Sequence, residues 1–439
     1  MINKLVITYL IGNKRNDLLN QKKQLYIQEL SSDEIINFQV RKFNDVWTAA
    51  VNNFNFYKIL KDEYSIPQII NSPEDLKKFP ILTKEMIKNS EESIAQDLTK
   101  FGKFNYIRTG GTSGSTTKFP SNSRQRDVEY ANTYLGKSWH QINPLDKVIH
   151  IWGHSHLFGS GIRGKINEVK RLVANTLINT RRLNAYQLDI SSVVSYIKKI
   201  LKYKPKVIIG YTSSLFIISK FIIDNEINIH LPDLNGIILT TESASNEDIE
   251  VIKKAFNSNI ILEYGMAETG VIAYSDQSTF QCKILWDSFI CVENSEELIL
   301  STIYERCFPL INYGTGDKLI KGEEINGSVF KFENIQGRQQ DIFKIFSKDF
   351  SKEIPISAVM IVHMLKEWPG VLSIATKQLT KGKIEIHLYG KDIDFDKVKV
   401  FLLKKITQEI GNVSQDGIVL VNALSINRSL AGKHMSIIK

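Results

Sequence analysis

The chain of 439 residues is poor in cysteine and has no long apolar run. Its three cysteines, Cys282, Cys291 and Cys307, are odd in number and lack CxxC spacing, which argues against a disulfide framework and favours a reducing compartment, the cytoplasm. Small buried thiols are the expected state, and a zinc site made by two of them with a histidine is the alternative. No apolar run approaches the roughly 18 to 20 residues that cross a bilayer, so we expect no membrane span.

Blocks of like charge are also missing. Lysine and arginine outnumber aspartate and glutamate by 56 to 47, but the lysines stand in ones and twos along the chain. No helix-turn-helix or RNP-type motif accompanies them, so we expect no specific nucleic-acid partner. The positive net charge of +9 is compatible with anionic substrates. An apolar content of 43% with 23% charged residues is typical of a globular protein.

The order of sequence patterns predicts an α/β fold. Residues 20–100 carry apolar residues at helical intervals, with serine caps such as Ser72 before a short segment that Pro80 ends. From about residue 145, short β-rich runs alternate with amphipathic segments, which predicts a largely parallel sheet. The last hundred or so residues follow the order strand, strand, helix, strand, enough for a small α+β domain. We therefore predict a large body, residues 1–338, and a smaller domain, residues 339–439.

One loop is built for backbone freedom and hydrogen bonding. The stretch RTGGTSGSTTKFP, residues 108–120, combines three glycines with six hydroxyl side chains. Bare N–H groups, hydroxyls and a lysine together suit phosphate oxygens. The loop lacks the GK[ST] ending of a Walker loop and the GxGxxG spacing of a dinucleotide-binding turn. Taken alone, such a loop is more often an ordinary surface turn.

Three further stretches place charged side chains at points where ligands bind. EYGMAETG, residues 263–270, follows an apolar strand and puts Glu268 at its carboxyl end. NYGTGDKL sets Asp317 after a tight glycine turn, and IQGRQQD sets Arg338 at the inferred domain junction. Each has a plainer reading, as a helix cap, a turn residue or half of a surface ion pair.

In this order and spacing the four stretches resemble the adenylate-forming superfamily, which includes acyl- and aryl-CoA ligases and peptide-synthetase adenylation domains. TSGSTTKFP is similar to the family's TSGTTGKP loop, YGMAE to YGxTE, YGTGD to its Y-x-TGD motif and GRQQD to its GRxxD hinge. The closing NRSLAGK, residues 427–433, resembles the family's last element, whose lysine is catalytic. The opening FPILTKEMIKNS and the stretch GHSHLFGSGIRG are similar to the phenylacetate–CoA ligase-like branch related to capsular polysaccharide biosynthesis.

The resemblance implies a reaction. A carboxylic acid would be activated by ATP as an acyl-adenylate with release of pyrophosphate, then transferred to CoA, a carrier-protein thiol or an amine. It also implies an adenylate-forming body with a small mobile lid, ATP and Mg²⁺ as cofactors, and a monomer or homodimer. The acid and the acceptor stay open.

The resemblance also assigns roles to residues. Catalysis falls to Lys433, Glu268 and Lys118, with Glu268 as the Mg²⁺ ligand. Lys433 would bridge the α-phosphate and the carboxylate, Tyr264 would stack near adenine, and Asp317 with Arg338 would bind the ribose. The implied nucleotide-binding positions are Thr112, Ser113, Gly114, Ser115, Thr116, Thr117, Thr241, Glu242, Ser243, Tyr264, Gly265, Met266, Ala267, Asp317 and Arg338. The implied acyl-pocket positions are His154, His156 and Tyr211. The alternatives are polar loop histidines for the first two and a core aromatic for Tyr211.

The sequence departs from the family pattern at several positions. Thr117 stands where glycine is usual, and Ala267 where threonine is usual. Gln340 occupies the hinge position, where aspartate or lysine is usual. These departures leave the acyl substrate open. Two other classes also remain as alternatives. One is a catalytically idle adenylate-binding scaffold, and the other is a nucleotidyltransferase that acts on a group other than a carboxylate.

Overall fold

The computed structural model describes most of the chain as two compact units. The described residues up to Gln336 form the first unit and those from Ile342 the second. The ranges described are 12–108, 117–152, 173–185, 188, 190–277, 279–294, 297–336, 342–351, 353–357, 361, 364–365, 368–410 and 412–424.

Helices dominate the first hundred residues, as the apolar spacing predicts. The helices of the first unit with described bounds are α1 (Asn13–Ile27), α2 (Ser32–Asn53), α3 (Asn55–Glu63), α4 (Lys84–Asn89), α5 (Glu91–Leu98), α6 (Ser123–Ser138), α7 (Ile190–Tyr203), α8 (Thr212–Asp224) and α9 (Asn246–Phe256), with 3₁₀ turns at Pro73–Lys78 and Thr99–Phe101. A capping box between Ser31 and Glu34 starts α2, and another between Ser72 and Asp75 starts the first 3₁₀ turn. The long apolar pattern breaks into α2 and α3 because Phe54 is extended.

The first unit contains sixteen strands with described bounds. They are β1 (Asn105–Arg108), β2 (Lys118–Ser121), β3 (Val148–Trp152), β4 (Thr180–Asn184), β5 (Val207–Tyr211), β6 (Gly236–Thr240), β7 (Ile260–Met266), β8 (Gly270–Ser275), β9 (Cys282–Ile284), β10 (Phe289–Glu293), β11 (Leu298–Thr302), β12 (Tyr313–Gly314), β13 (Lys318–Ile320), β14 (Glu323–Ile325), β15 (Ser328–Phe332) and β16 (Asn334–Gln336).

Nine of these strands form one mixed sheet in the order β14-β15-β9-β8-β7-β6-β5-β3-β4. The segment from β4 to β7 is parallel, and the segment from β7 to β14 is antiparallel. Strands β5 and β6 are buried along their whole length, which explains their continuous apolar sequence. Smaller sheets pair β1 with β2, β11 with both β10 and β12, and β13 with β16. The predicted α/β class with mixed and parallel sheets is confirmed.

The second unit has its own apolar core. Its elements with described bounds are β17 (Ile342–Phe346), β18 (Glu353–Ser357), β19 (Val371–Thr380), β20 (Lys383–Gly390), α10 (Phe395–Ile410), a 3₁₀ turn (Gln415–Gly417) and β21 (Ile418–Asn422). β20 pairs antiparallel with β19 and parallel with β21. Val398, Leu402 and Ile406 of α10 belong to the same buried cluster as Ile384 and Ile386 of β20. The predicted order of strand, strand, helix and strand is present.

His140, just after α6, is a buried group whose protonation we expect to lower the stability of the first unit in acid. The ring is buried, with Nε2 2.8 Å from the carbonyl oxygen of Ser275. Burial lowers the pKa of His140, although the Ser275 carbonyl and Asp276 act in the opposite direction. The folded chain therefore favours the neutral ring, whereas the unfolded chain takes up a proton near the usual pKa of about 6.5. Its contribution to stability is complete above that pH and is lost as the pH falls below it.

We accordingly expect the urea midpoint to drop between about pH 7.5 and pH 5, with part of the drop removed in His140→Gln. The glutamine variant keeps an amide donor for Ser275 but cannot titrate. Equal pH dependence in the wild type and His140→Gln would contradict this assignment.

Candidate active site

Three neighbouring parallel strands end at one edge of the large sheet. Tyr211 is the last residue of β5, Thr241 follows β6, and Glu268 follows β7. The register pairs Tyr211 with Thr240 and Thr240 with Glu263, so these strand ends are adjacent. Ligands of open α/β sheets bind at the carboxyl ends of the strands. The residues predicted on the three strands therefore lie on adjacent strand ends at one sheet edge.

Glu268 is a buried carboxylate with a cation beside it. Its side chain is 3% exposed, and its Oε1 lies 3.2 Å from Nζ of Lys84. The same oxygen accepts a hydrogen bond of 2.7 Å from the hydroxyl of Tyr313. Burial opposes ionisation, but Lys84 and Tyr313 outweigh it, so the pKa of Glu268 lies below its ordinary value. The site thus keeps a negative charge at neutral pH.

Lys84 is positioned beside Glu268 by the segment before it, residues 79–82, which is hydrogen-bonded to the residue that precedes β12. Asn312 donates from Nδ2 to the carbonyl oxygens of Phe79 and Pro80, at 2.9 and 3.2 Å. The N–H of Leu82 donates to the carbonyl of Asn312 at 2.9 Å. Thr83 then caps α4 and Lys84 becomes its first residue. These bonds fix where the lysine side chain emerges.

The sequence interpretation missed Lys84 as a site residue. The one local sign of a special role is the position of Lys84 in the first turn of α4. A cation there is unfavourable, because it faces the positive end of the helix dipole. Acidic residues are the usual choice there, as in α2 and α9. The unfavourable placement of Lys84 is offset by Glu268, 184 positions away along the chain, and local patterns carry no information on that pairing.

Tyr264 and Asp317 meet directly. The Tyr264 hydroxyl donates to Oδ2 of Asp317 at 3.0 Å. Burial and the Asp317 charge both raise the pKa of Tyr264 well above its ordinary range, so the phenol stays neutral. The turn before Asp317 uses Gly316 at φ 73°, a left-handed conformation that favours glycine. The structure thus brings the predicted adenine-side and ribose-side residues together.

The turn that carries Glu268 requires glycine. A Cβ on Gly265 would lie 2.5 Å from the carbonyl oxygen of Gly270, which no side chain tolerates. Gly270 itself has φ 69°. Between them, Met266 ends β7 and Ala267 precedes Glu268. The turn between β7 and β8 is therefore tight, and it fixes the position of the Glu268 main chain.

The segment after β6 serves a structural purpose as well. Glu242 accepts from the N–H and the hydroxyl of Ser213, at 2.8 and 3.1 Å, and so caps the start of α8. Thr241 has φ 70°, which is rare for a β-branched residue and stores strain. Ser243 follows, half-buried. Their predicted part in nucleotide binding stays a prediction.

Tyr211 packs into the core rather than standing free. Its ring is buried and lies 4.8 Å from that of Trp152, centroid to centroid. Its predicted role in an acyl pocket stays a prediction. His154 and His156 lie outside the described residues, so their predicted role also stays a prediction.

Lys118 stands at the start of β2 and pairs with an acid. Its Nζ lies 2.7 Å from Oε1 of Glu91, the first residue of α5. The next residue, Phe119, is buried and packs edge-on against Tyr313 with ring centroids 6.1 Å apart. β2 therefore runs beside the Glu268 cluster, while the Lys118 ammonium is engaged by Glu91.

Several predicted site residues lie outside the described part of the chain. They are Thr112, Ser113, Gly114, Ser115, Thr116, His154, His156, Arg338 and Lys433. Thr117, the first described residue after the loop, is buried.

The fit of a divalent metal can be judged from the donors present. Within the described residues, no group of three or more histidine, cysteine or acidic side chains gathers as a metal cluster. The three cysteines are buried free thiols, and burial raises the pKa of Cys307 to about 11. Mg²⁺ bound with a nucleotide takes one or two carboxylates and completes its shell with phosphate oxygens and water. Glu268, a single ionised carboxylate at the sheet edge, fits that arrangement.

No described helix is long and apolar enough to span a membrane.

Comparison with known proteins supports the fold. No protein-family model matches the chain. Protein CapK of Staphylococcus aureus is 24% identical over 341 residues, which cover 75% of this chain and 73% of CapK. A crystal structure of 2-hydroxyisobutyryl-CoA ligase in the postadenylation state with R3-HIB-AMP gives a TM-score of 0.68 at 14% identity. It covers 93% of this chain and 90% of that one.

Two further solved structures share this fold. The same ligase with 2-HIB-AMP and CoA in its thioesterification state gives a TM-score of 0.54 at 15% identity, covering 93% of this chain and 90% of that one. McyG A-PCP with phenylalanyl-adenylate gives 0.52 at 14% identity, covering 75% of this chain and 56% of that one. The chain therefore has the adenylate-forming fold that its ordered motifs predict, and its similarity to CapK supports the capsule-related branch of that resemblance.

Proposed function

We propose that the protein activates a carboxylic acid with ATP, forming an acyl-adenylate and pyrophosphate, and then transfers the acyl group to an acceptor. The observation that carries the proposal is the Glu268 cluster: an ionised carboxylate at the end of β7, with Lys84 at 3.2 Å and Tyr313 at 2.7 Å. The ordered sequence motifs and the fold support it. The solved relatives hold acyl-adenylates or, in one case, an acyl-adenylate together with CoA.

In this proposal the body binds the nucleotide and the chain's own groups neutralise its charge. The Asp317 carboxylate accepts hydrogen bonds from the ribose hydroxyls, and Tyr264 stacks near the adenine base. Attack of a carboxylate on the α-phosphate builds negative charge at phosphorus, which favours fixed cations and N–H donors. In this proposal Lys84, beside Glu268, and Lys118, at the start of β2, supply such charge. A bound Mg²⁺ would supply further positive charge to the phosphates, with Glu268 as its protein ligand.

The second unit is proposed to act as the lid of the enzyme. In the resemblance, residues 339–439 move and bring Lys433 to the α-phosphate, and Arg338 lies at the hinge. The acceptor is proposed to be a thiol, as in CoA or a carrier domain, with an amine as the other option. A part in surface-polysaccharide synthesis rests on the CapK similarity and the sequence branch alone.

The test is a screen of carboxylic acids by ATP–pyrophosphate exchange, followed by hydroxylamine trapping. Exchange that depends on one class of acid, with a hydroxamate formed from it, is the expected result. Exchange without hydroxamate would point to the nucleotidyltransferase alternative. Nucleotide binding without any exchange would point to the idle scaffold.

The ion pair between Lys118 and Glu91 yields a prediction on nucleotide affinity. If Lys118 binds phosphates, it must leave Glu91, so Glu91→Gln should tighten ATP binding. Both side chains are about one-third exposed, and such pairs are worth up to about 1 kcal/mol, or roughly fivefold in affinity. Calorimetric titration with ATP checks the change. Glu305→Gln, which breaks the exposed pair with Arg124, is the matched control and should leave affinity unchanged.

A further inference from the structure

A buried arginine lies behind the turn that carries Glu268. The side chain of Arg306 is 1% exposed. It follows β11 in the chain, in the segment that leads to Asn312 and Tyr313. No motif of the sequence analysis includes it, and the proposed reaction does not use it.

The guanidinium of Arg306 holds the main chain of the active site. Its Nη2 donates to the carbonyl oxygen of Glu268 at 2.5 Å. Its Nη1 donates to the hydroxyl of Tyr304 at 2.6 Å, and that hydroxyl donates in turn to the carbonyl of Thr269 at 3.2 Å. Its Nε donates to the carbonyl of Phe308 at 3.3 Å. Two successive carbonyls, those of Glu268 and Thr269, are thus fixed from the buried side.

Helix α6 closes the same cluster. Oε1 of Glu129 lies 3.5 Å from Nη1 of Arg306 and accepts a hydrogen bond of 2.8 Å from Gln125. Burial raises the pKa of Glu129, although Arg306 acts to lower it. A Cβ built on Gly270 would sit 3.2 Å from Cγ of Glu129, so the turn after Glu268 has little room to move. Arg306 therefore bonds the main chain at Glu268, and Glu129 lies close to the main chain at Gly270.

Stability alone is a weak reason to keep such a cation. Desolvating a buried ion is costly, and replacing a buried pair by apolar groups of similar volume is often neutral or stabilising. What the arginine provides that an apolar side chain lacks is a planar fork, with donors aimed at fixed acceptors. The acceptors that it reaches are the carbonyl of Glu268 and, through Tyr304, the carbonyl of Thr269.

We propose that Arg306 is the positioning residue for the Glu268 carboxylate. Its guanidinium pins the main chain at Glu268 so that the carboxylate is held against Lys84 and Tyr313, ready for the nucleotide-bound metal. The metal part of this statement rests on the proposed function. The positioning of Glu268 against Lys84 does not.

The first experiment measures the position of Glu268 without any nucleotide. Lys84 is 34% exposed and its ammonium is covered in part by Glu268, so its rate of acetylation reports that contact. The rate is measured by mass spectrometry relative to Lys88, on the same helix. The acetylation rate of Lys84 in Glu268→Gln gives the full effect of losing the ion pair. Arg306→Met should reproduce most of it, a rise of about threefold or more, the range for loss of a partly exposed ion pair.

A matched control separates positioning from general destabilisation. Lys22→Met breaks another buried ion pair of the first unit, between Lys22 and Asp287. It should lower the melting temperature but leave the Lys84 labelling at the wild-type rate. Arg306→Lys should lie between wild type and Arg306→Met, because one ammonium cannot make all the bonds of the fork. Glu129→Gln with Arg306→Met serves where the single change fails to fold, since it leaves no unpaired charge.

The second experiment tests the link to the metal. ATP binding is titrated calorimetrically over a range of Mg²⁺ concentrations. Arg306→Met should raise the Mg²⁺ concentration for half-maximal tight binding by about tenfold, the scale seen when a supporting residue of a metal ligand is lost. ATP binding without metal should change little.

The outcomes are distinct. Lys84 labelling in Arg306→Met equal to that in wild type and Lys22→Met would overturn the positioning role. If the wild type binds no ATP, the proposed function fails, and the labelling result still decides the role of Arg306.

Discussion

Replacing Glu268 by glutamine should cut acyl-adenylate formation by about 10² to 10³, the usual range when one preorganised electrostatic contact is lost. The amide has nearly the shape of the carboxylate and can still accept from Tyr313, but it has no charge for a divalent cation. Lys84, now 3.2 Å from the carboxylate, would lose its counter-ion. The measurement is ATP–pyrophosphate exchange at a series of Mg²⁺ concentrations. The variant should need more Mg²⁺ and should not reach the wild-type rate.

The fold should tolerate this change. Lys84 is one-third exposed, so water can solvate its ammonium when the carboxylate is gone. A melting curve close to that of wild type is therefore expected, and it separates lost chemistry from lost structure. Glu305→Gln removes an exposed carboxylate of the same unit and is the matched control for exchange activity. Unchanged activity of Glu268→Gln at limiting Mg²⁺ would remove Glu268 from the metal site.

Most of the architecture could be predicted from local sequence patterns. The apolar runs at β5 and β6 are buried from end to end, and their length and β-branched content predict parallel strands. The motif at Glu268 could be placed at a strand end because an apolar run comes directly before it. Asp317 could be placed in a turn because Gly316 comes before it. In these cases the deciding interactions are between residues close in the sequence.

Contacts between distant residues were beyond such reasoning. Lys84 pairs with Glu268 from 184 positions away in the chain, and Arg306 donates to the Glu268 carbonyl from 38 positions away. Lys118 was predicted as a phosphate ligand from its loop, and its pairing with Glu91 depends on where α5 packs. Tyr313 belongs to the YGTGD motif, but its hydrogen bond is to Glu268, 45 positions earlier in the chain. Periodicity and spacing carry no information about these tertiary pairs.

The replacement of Lys433 by alanine should nearly abolish acyl-adenylate formation and leave the second half of the reaction intact. The assignment rests on the resemblance of NRSLAGK to the family's closing element, and Lys433 lies outside the described residues. A lysine that bridges the α-phosphate and the attacking carboxylate acts mainly in the transition state. Its loss should therefore lower the rate by about 10² to 10³ or more, with ATP binding little changed.

Two half-reactions measured on one purified variant decide the role of Lys433. Adenylation is followed by pyrophosphate release, and transfer is followed from a chemically supplied acyl-adenylate to the acceptor. Lys404→Ala, an exposed lysine of α10 in the same unit, is the control and should leave both steps unchanged. In the family's lid mechanism the lysine is withdrawn before transfer, so only the first step should suffer. Equal loss in both steps would indicate damage to the second unit, and loss in neither would make Lys433 an ordinary surface lysine.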